Sequence, residues 1–269
     1  MFWSQGYENA PELVTKCLKS WQYFNPGYTI HFLDKNTIND FLDLTPTINI
    51  QRKDLTIQVI SELYRLELLH KYGGIWTDAT VFCTRPLESW LPDYYANGFF
   101  AFRNPGPDRL ISTWFYASEK DNPILEKFYR EYFAFFQSTR FWNKNKRIGN
   151  SLTYRLNPFF DKSVKQSLFW HSLFAKKILR VYPYYMQHYT FNKVILNNPE
   201  CAEMWYSSRP FEADIPHVLQ QLNREEKDLK KAIRDIDNNT SPVYKFDRRH
   251  NYSEPYWNGV LDHLSRFLR

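Results

Sequence analysis

Apolar positions in this chain recur at two periods. Between Ala10 and Phe24, Leu13, Cys17, Leu18 and Trp21 follow three- and four-residue steps, the spacing of one helix face. Asn25-Pro26-Gly27 is a turn signal. Tyr28 to Leu33 alternates as a strand and ends at Asp34. With Phe2 and Trp3 as the stub of a first strand, the opening predicts strand, helix, strand. The natural product of such a βαβ unit is a parallel sheet.

Asn36 to Leu42 predicts a short helix. The segment from Asp54 to Lys71 carries two neighbouring stripes. Leu55, Val59, Leu63, Leu66 and Leu69 form one, and Ile57, Ile60, Tyr64 and Leu68 the other. An apolar face this broad belongs inside a domain, packed on a sheet. Tyr72-Gly73-Gly74-Ile75-Trp76-Thr77-Asp78-Ala79-Thr80 follows. The expected order is helix, glycine pair, short apolar strand, then a carboxylate at the strand's end. In open α/β folds that position is the mouth of the sheet, where ligands bind. Two further strands are expected at Thr80–Cys83 and Gly98–Phe102, while Ile111–Ala117 fits a strand or the first turns of a helix.

Beyond residue 120 the pattern turns helical. Asn122–Phe136 reads as a helix with Pro123 in its first turn. Ser163–Leu179 is another, carrying Trp170 and His171. Pro210–Asp237 is polar and helical in its later part, with the charged run Glu225–Lys231 as a solvated face. Ser241–Phe246 reads as a last strand and Asp262–Arg269 as a small basic amphipathic tail. Thr139–Arg147 mixes aromatics with Arg and Lys as a basic loop; its stretch Arg140–Arg147 resembles a nucleic-acid or lipid-headgroup patch, but as a lone surface loop it reads first as an acceptor-side flap or a solvated segment. No repeat or low-complexity linker interrupts the chain. The reading is one α/β domain over 1–269, with a mainly parallel central sheet flanked by helices and a helical C-terminal elaboration.

Composition narrows the partners. The 269 residues suffice to bury a core without disulfides. Phe, Tyr and Trp make up 19% of the chain, enough to pack a core and also to stack on sugars or bases. Eight glycines argue against a Gly-rich phosphate loop. The net charge of +6 favours an anionic partner such as a nucleotide or phospholipid surface. No basic helix or recognition motif supports nucleic acid. Cys17, Cys83 and Cys201 form no CxxC pair and suggest a reduced, cytosolic compartment. No apolar run approaches the roughly 20 residues that span a bilayer, and Met1–Gln5 does not open a signal peptide.

The candidate chemistry gathers around the glycine pair. Glu62 and Arg65, three apart on a helix, share a face. There Arg65 could bind a phosphate or sugar hydroxyl, with Glu62 orienting it; a plain helix-surface ion pair explains the spacing equally well. Gly73-Gly74 lets the backbone turn sharply into the strand. Alternation places Asp78 and Thr80 on one side of the strand. A carboxylate and a hydroxyl two residues apart suit Mg²⁺ or Mn²⁺, although a single carboxylate needs a diphosphate to complete the ligand set. The histidines form no HxxxH or HExxH. His171 and His250 are weaker ligand candidates, and His171 reads first as a packed or surface histidine.

Ser61-Glu62-Leu63-Tyr64-Arg65, followed by Tyr72-Gly73-Gly74-Ile75-Trp76-Thr77-Asp78-Ala79-Thr80, resembles the capsular-polysaccharide-synthesis glycosyltransferases. It is similar also to the wider DXD sugar transferases, which include fungal α-mannosyltransferases and α-galactosyltransferases. Phe2-Trp3-Ser4-Gln5-Gly6, Asn25-Pro26 and Leu33-Asp34 look like the first βαβ unit of the same group. Ile111–Phe115, Asn122–Leu125 and Ser241–Lys245 resemble its later segments. The resemblance implies a GT-A-type fold, a nucleotide-sugar donor, and transfer with retention.

Carried over by position, Trp3, Gln5, Gly74 and Lys245 would bind the donor, with Lys245 near the diphosphate. Asp78, Arg65 and Glu62 would be the catalytic set, and Asp78 with Thr80 would hold a divalent metal. Thr80 departs from the family pattern, in which a second acid stands at that place, and so loosens the expected metal dependence. Residues 1–120 would form the nucleotide-sugar half and 121–269 the acceptor-side helical half. The expected partner is a glycan or lipid-linked glycan acceptor, reached in the cytoplasm, with peripheral membrane docking. The rival expectation is a non-catalytic nucleotide- or carbohydrate-binding protein that kept the fold and lost the metal site.

Overall fold

A computed structural model of the chain describes residues 1–142, 147–221, 228–238 and 241–268. In chain order the helices are α1 (Glu12–Phe24), α2 (Ile57–Tyr72), α3 (Pro123–Gln137), α4 (Arg147–Phe160), α5 (Val164–Ser167), α6 (Met186–Asn197), α7 (Pro199–Ser207), α8 (Asp214–Gln221), α9 (Leu229–Asn238) and α10 (Pro255–Ser265). The strands are β1 (Gly74–Thr77), β2 (Val81–Cys83), β3 (Phe99–Phe100), β4 (Arg103–Gly106), β5 (Arg109–Ile111), β6 (Phe115–Ser118) and β7 (Val243–Lys245). The chain divides into two compact units. One comprises Met1–Asp40, Thr77–Tyr94 and Glu212–Arg269; the other comprises Phe41–Trp76 and Tyr95–Phe211.

In the first unit, β2 and β7 pair antiparallel, with Val81 opposite Lys245 and Cys83 opposite Val243. The ladder extends by one bond at each end, from Phe246 N to Thr80 O and from Thr84 N to Pro242 O. Side chains of α1 bond to β2: Trp21 Nε1 donates to the Val81 carbonyl at 2.8 Å, and Ser20 Oγ accepts from Cys83 N at 2.8 Å. Beneath the ladder, Leu13 and Cys17 of α1, Phe82, Tyr244 and Trp257 share one apolar core with Leu219, Ile236 and Leu264.

The second unit holds a three-stranded sheet, in the order β1-β6-β3, and the hairpin β4-β5. β3 and β6 run antiparallel, as do β4 and β5. The apolar face of α2 buries Val59, Leu63, Leu66 and Leu69. It packs on α3, and α3 in turn packs on α6. The core there is aromatic: Phe99, Tyr116, Phe128 and Phe191 lie in mutual ring contact. Arg52 and Asp54 form a buried pair at 2.5 Å, and Arg52 also donates to the carbonyls of Phe136 and Thr139.

The mixed α/β class agrees with the sequence, but a mainly parallel central sheet is not what forms. The parallel contact of the opening is the single bridge Phe2–Leu33, and the β2-β7, β3-β6 and β4-β5 pairs are antiparallel. A ladder needs a strand along its length, and among the described residues Tyr28–Phe32 is assigned to no strand, although the Met1 ammonium donates to the His31 carbonyl at 2.9 Å. Parallel neighbours also need a long crossover, whereas strands of two to four residues pair by short returns or from distant segments. Ile111–Ala117 splits into the end of β5 and the start of β6. Ser163–Leu179 breaks into α5, a 3₁₀ turn at Leu168–His171 and a π-helical turn at Phe174–Leu179. Asn36–Leu42 is a 3₁₀ turn at Thr37–Asp40. Residues 143–146 of the basic loop and 225–227 of the charged run lie outside the described residues.

Candidate functional site

Helix α2 stops at Gly73, whose φ of +69° is left-handed. A Cβ there would lie 2.8 Å from the Lys120 backbone nitrogen, so both the backbone angle and the space require glycine. The chain then runs through β1 and leaves the strand at Asp78. Asp78, Ala79 and Thr80 form a turn, closed by Val81 N donating to the Asp78 carbonyl at 3.1 Å. The two side chains are therefore set by a turn between strands, not by the pleat of one continuous strand.

Strand pairing brings Lys245 to this turn. Its ammonium donates to Thr80 Oγ1 at 2.6 Å and to the Phe246 carbonyl at 2.9 Å, and stands 3.9 Å from Asp78 Oδ2. Asp78 and Thr80, expected from spacing to be metal ligands, thus both face the ammonium of Lys245, which lies 165 positions from Thr80 in sequence. A divalent ion on these two oxygens would have to displace an ammonium already hydrogen-bonded to one of them. The pair does not fit a preformed metal site. Among the described residues, no group of three or more His, Cys, Asp or Glu side chains could hold a metal ion.

Trp3 and Gln5 belong to the same unit. Trp3 N donates to Leu33 O at 2.8 Å, one of the two bonds that make the parallel Phe2–Leu33 bridge. The indole Nε1 of Trp3 is buried and has no hydrogen-bond partner among the described residues. Gln5 is exposed, and its carbonyl accepts from Asn9 Nδ2.

Glu62, Arg65 and Gly74 belong to the second unit. Arg65 is 5% exposed; its Nη1 donates to Gln187 Oε1 at 2.8 Å, and its guanidinium lies 5.1 Å from the centre of the Trp76 ring. It therefore fastens α2 to β1 and to α6. Glu62 accepts from the Tyr132 hydroxyl, while the Glu62 carbonyl accepts from Gln187 Nε2. Burial, reinforced by the Glu62 charge, holds the Tyr132 phenol well above its ordinary range, so it remains a donor. Gly74 has a φ of +91° and open space around it. Gln187 and Tyr132 carry no motif signal: Gln187 lies on a helix buried on nearly every face, 122 residues from Arg65.

Glu62 also lines a cavity of about 670 Å³, between the start of α2, α4 and Tyr182–Tyr184. The size falls in the ordinary range for small-molecule pockets. Asn157 Oδ1, in its wall, is buried without a partner among the described residues. Tyr154 and Tyr184 line it with rings that are 80% and 70% exposed.

The remaining candidates are packed. Burial, then the charges of Lys193 and Lys176, lowers the His171 imidazole to about 3. Its ring meets Phe135 edge-on. His250 stacks on Trp257 with centres 4.1 Å apart. Cys17, Cys83 and Cys201 are free thiols and buried. Among the described residues, no helix is long and apolar enough to cross a membrane.

These features describe a mixed α/β protein that carries a charged turn in its first unit and, separately, an aromatic, polar cavity in its second. Residues 1–144 match the family model described as capsular polysaccharide synthesis protein, and the chain belongs to that family. It is also 28% identical over 145 residues to the O-glycosyltransferase braB of Annulohypoxylon truncatum. That match covers 47% of this chain and 34% of the relative, so the chain spans about a third of that protein. No solved structure matches.

Proposed function

We propose that the chain is a glycosyltransferase that moves a sugar from a nucleotide-sugar donor to a glycan acceptor in surface-polysaccharide synthesis. The reading extends to a GT-A-like arrangement, cytoplasmic placement and retention at the anomeric carbon. The observation that carries it is the Lys245–Thr80–Asp78 cluster at the end of β1. Breaking the bond between the anomeric carbon and the diphosphate oxygen leaves negative charge on the nucleoside diphosphate. A fixed cation stabilises that charge, usually the largest single contribution to such a reaction. Lys245 takes this part, and Asp78 accepts hydrogen bonds from donor hydroxyls. The unpartnered Trp3 indole N–H and the exposed Gln5 amide suit the nucleoside. Gly74 leaves open space for the donor to approach the backbone. The acceptor oxygen bonds to the anomeric carbon as the diphosphate leaves, and its proton passes to a diphosphate oxygen. No protein nucleophile is required.

The cavity beside Glu62, taken within the second unit alone, has the lining of a sugar-binding pocket. Glu62 and Asn157 offer hydrogen-bond acceptors, and Tyr154 and Tyr184 offer flat apolar faces. Arg65 acts as a positioning residue, because its guanidinium is buried between Gln187 and Trp76. Divalent Mn²⁺ or Mg²⁺ is not required in this reading, because the Lys245 ammonium already occupies the Thr80 side of the turn.

Hydrolysis and transfer assays across a panel of nucleotide sugars test the reading. Asp78→Ala should abolish both activities without lowering the melting temperature. Full activity in that variant would remove Asp78 from the chemistry. One observation favours a second reading, a nucleotide- or carbohydrate-binding protein without catalysis: Lys245 already engages Thr80. That reading predicts thermal stabilisation by a nucleoside diphosphate with no turnover of any donor.

A further inference from the structure

The π-helical turn Phe174–Leu179 is built inside out. Ala175, its smallest side chain, is fully buried, while Leu173, Phe174 and Ile178 are 73%, 54% and 68% exposed. A turn packed only against its own domain would do the reverse. Trp142 stands at the same place: its backbone N donates to the Arg180 carbonyl, its indole N–H donates to the Leu179 carbonyl at 2.9 Å, and its ring is 45% exposed. A contiguous exposed apolar set of this kind marks an interaction surface.

Cations surround it. Lys176 and Lys177 lie within the turn, and Arg180 ends it. The Arg180 guanidinium lies 5.0 Å from the centre of the Trp142 ring and donates to the carbonyl of exposed Arg140. Burial, then crowding by Lys193 and Lys177, pushes the Lys176 ammonium below its ordinary value. An external anion would relieve that crowding.

We propose that Leu173, Phe174, Ile178 and Trp142, ringed by Lys176, Lys177, Arg180 and Arg140, form a docking surface for an anionic lipid bilayer. Leu173, Phe174 and Ile178 enter the headgroup–acyl boundary. The tryptophan sits at headgroup level, where its ring is apolar and its N–H stays satisfied. The four cations meet lipid phosphates. Nucleic acid is the poorer fit, because Leu173 and Ile178 have no ring to stack on a base. The surface binds a membrane from one side, as interfacial proteins without a spanning helix do. It lies wholly within the second unit and stands independently of the glycosyltransferase reading.

Vesicle co-sedimentation of the full chain tests it. The chain should pellet with vesicles of equimolar phosphatidylcholine and phosphatidylglycerol, and far less with phosphatidylcholine alone. The triple variant Leu173→Ser, Phe174→Ser, Ile178→Ser should weaken binding about tenfold or more. Its melting temperature should be unchanged, because the three side chains are exposed. Lys176→Glu with Lys177→Glu should abolish the preference for anionic lipid. Three results overturn the proposal: no pelleting with anionic vesicles, undiminished pelleting of the folded triple variant, or binding of single-stranded RNA without binding of vesicles.

Discussion

Lys245 Nζ lies 2.6 Å from the Thr80 hydroxyl, so the turn after β1 holds a hydrogen-bonded cation beside Asp78. An acid at position 80 would attract a divalent metal. A threonine held by lysine places a fixed positive charge at the turn without one. Transfer should therefore survive exhaustive chelation of divalent ions with EDTA. Lys245→Ala should lower donor hydrolysis by about a hundredfold or more, the scale expected when one fixed charge-stabilising group is lost. Loss of all activity in EDTA, restored by Mn²⁺, would instead show that the diphosphate and Asp78 recruit a metal.

Arg65 predicts a different signature. Its guanidinium bonds to Gln187 and packs on Trp76, so Arg65→Ala strips a buried amide of its donor. The expected stability loss is about 1.5–3 kcal/mol, read from chemical denaturation. Activity should fall with it, and Arg65→Lys should restore little, because a point charge does not replace a planar fork. Unchanged turnover in a folded Arg65→Ala protein would show that this anchor is not needed for the site.

Arg52 and Asp54 are a larger structural liability. Both are buried, and their charges are matched by each other and by the Phe136, Thr139 and Phe141 backbone. Burial works to raise the Asp54 carboxyl, but the Arg52 pairing and the Phe141 N–H outweigh it and hold it below the usual range. Arg52→Ala leaves a carboxylate buried without its partner. Urea denaturation should show a loss of about 3–5 kcal/mol.

His171 makes stability depend on pH in a predictable direction. Its imidazole is lowered to about 3 in the folded protein, by burial and then by Lys193 and Lys176. The unfolded chain binds a proton there near 6.5, and the folded chain does not. Stability is thus fully present above about 6.5 and falls as pH drops toward 3, by up to about 1.4 kcal/mol per pH unit. The melting temperature at pH 5 should lie below that at pH 7. His171→Phe, which adds no titrating group, should flatten part of that slope.

Much of the fold could be read from periodicity. The stripes of α1, α2 and α3 are regular, and Asn122 with Pro123 marks the start of α3 as a cap and first-turn pair: Asn122 Oδ1 accepts from Ile124 N. Helix α6 left no stripe because nearly every face of it is buried, Gln187 and Asn192 included. The strand expected over Tyr28–Leu33 alternates correctly, yet alternation records a face and not the presence of a neighbour. In the candidate site, Asp78 and its glycine pair were legible from residue order alone. The meaning of Thr80 was not, because its partner arrives from β7.

The sequence by itself determined the local grammar: the helix that ends at Gly73, the strand and turn that follow, and the family to which residues 1–144 belong. These rest on backbone sterics and spacing, which act over a few residues. Tertiary structure alone decided that the sheets are small and mostly antiparallel, that Lys245 meets Thr80 and Asp78, and that Leu173, Phe174 and Ile178 face outward. Each of these depends on which distant segment supplies a hydrogen-bond partner or covers a surface. That choice is made by packing of the whole chain and has no local period to betray it.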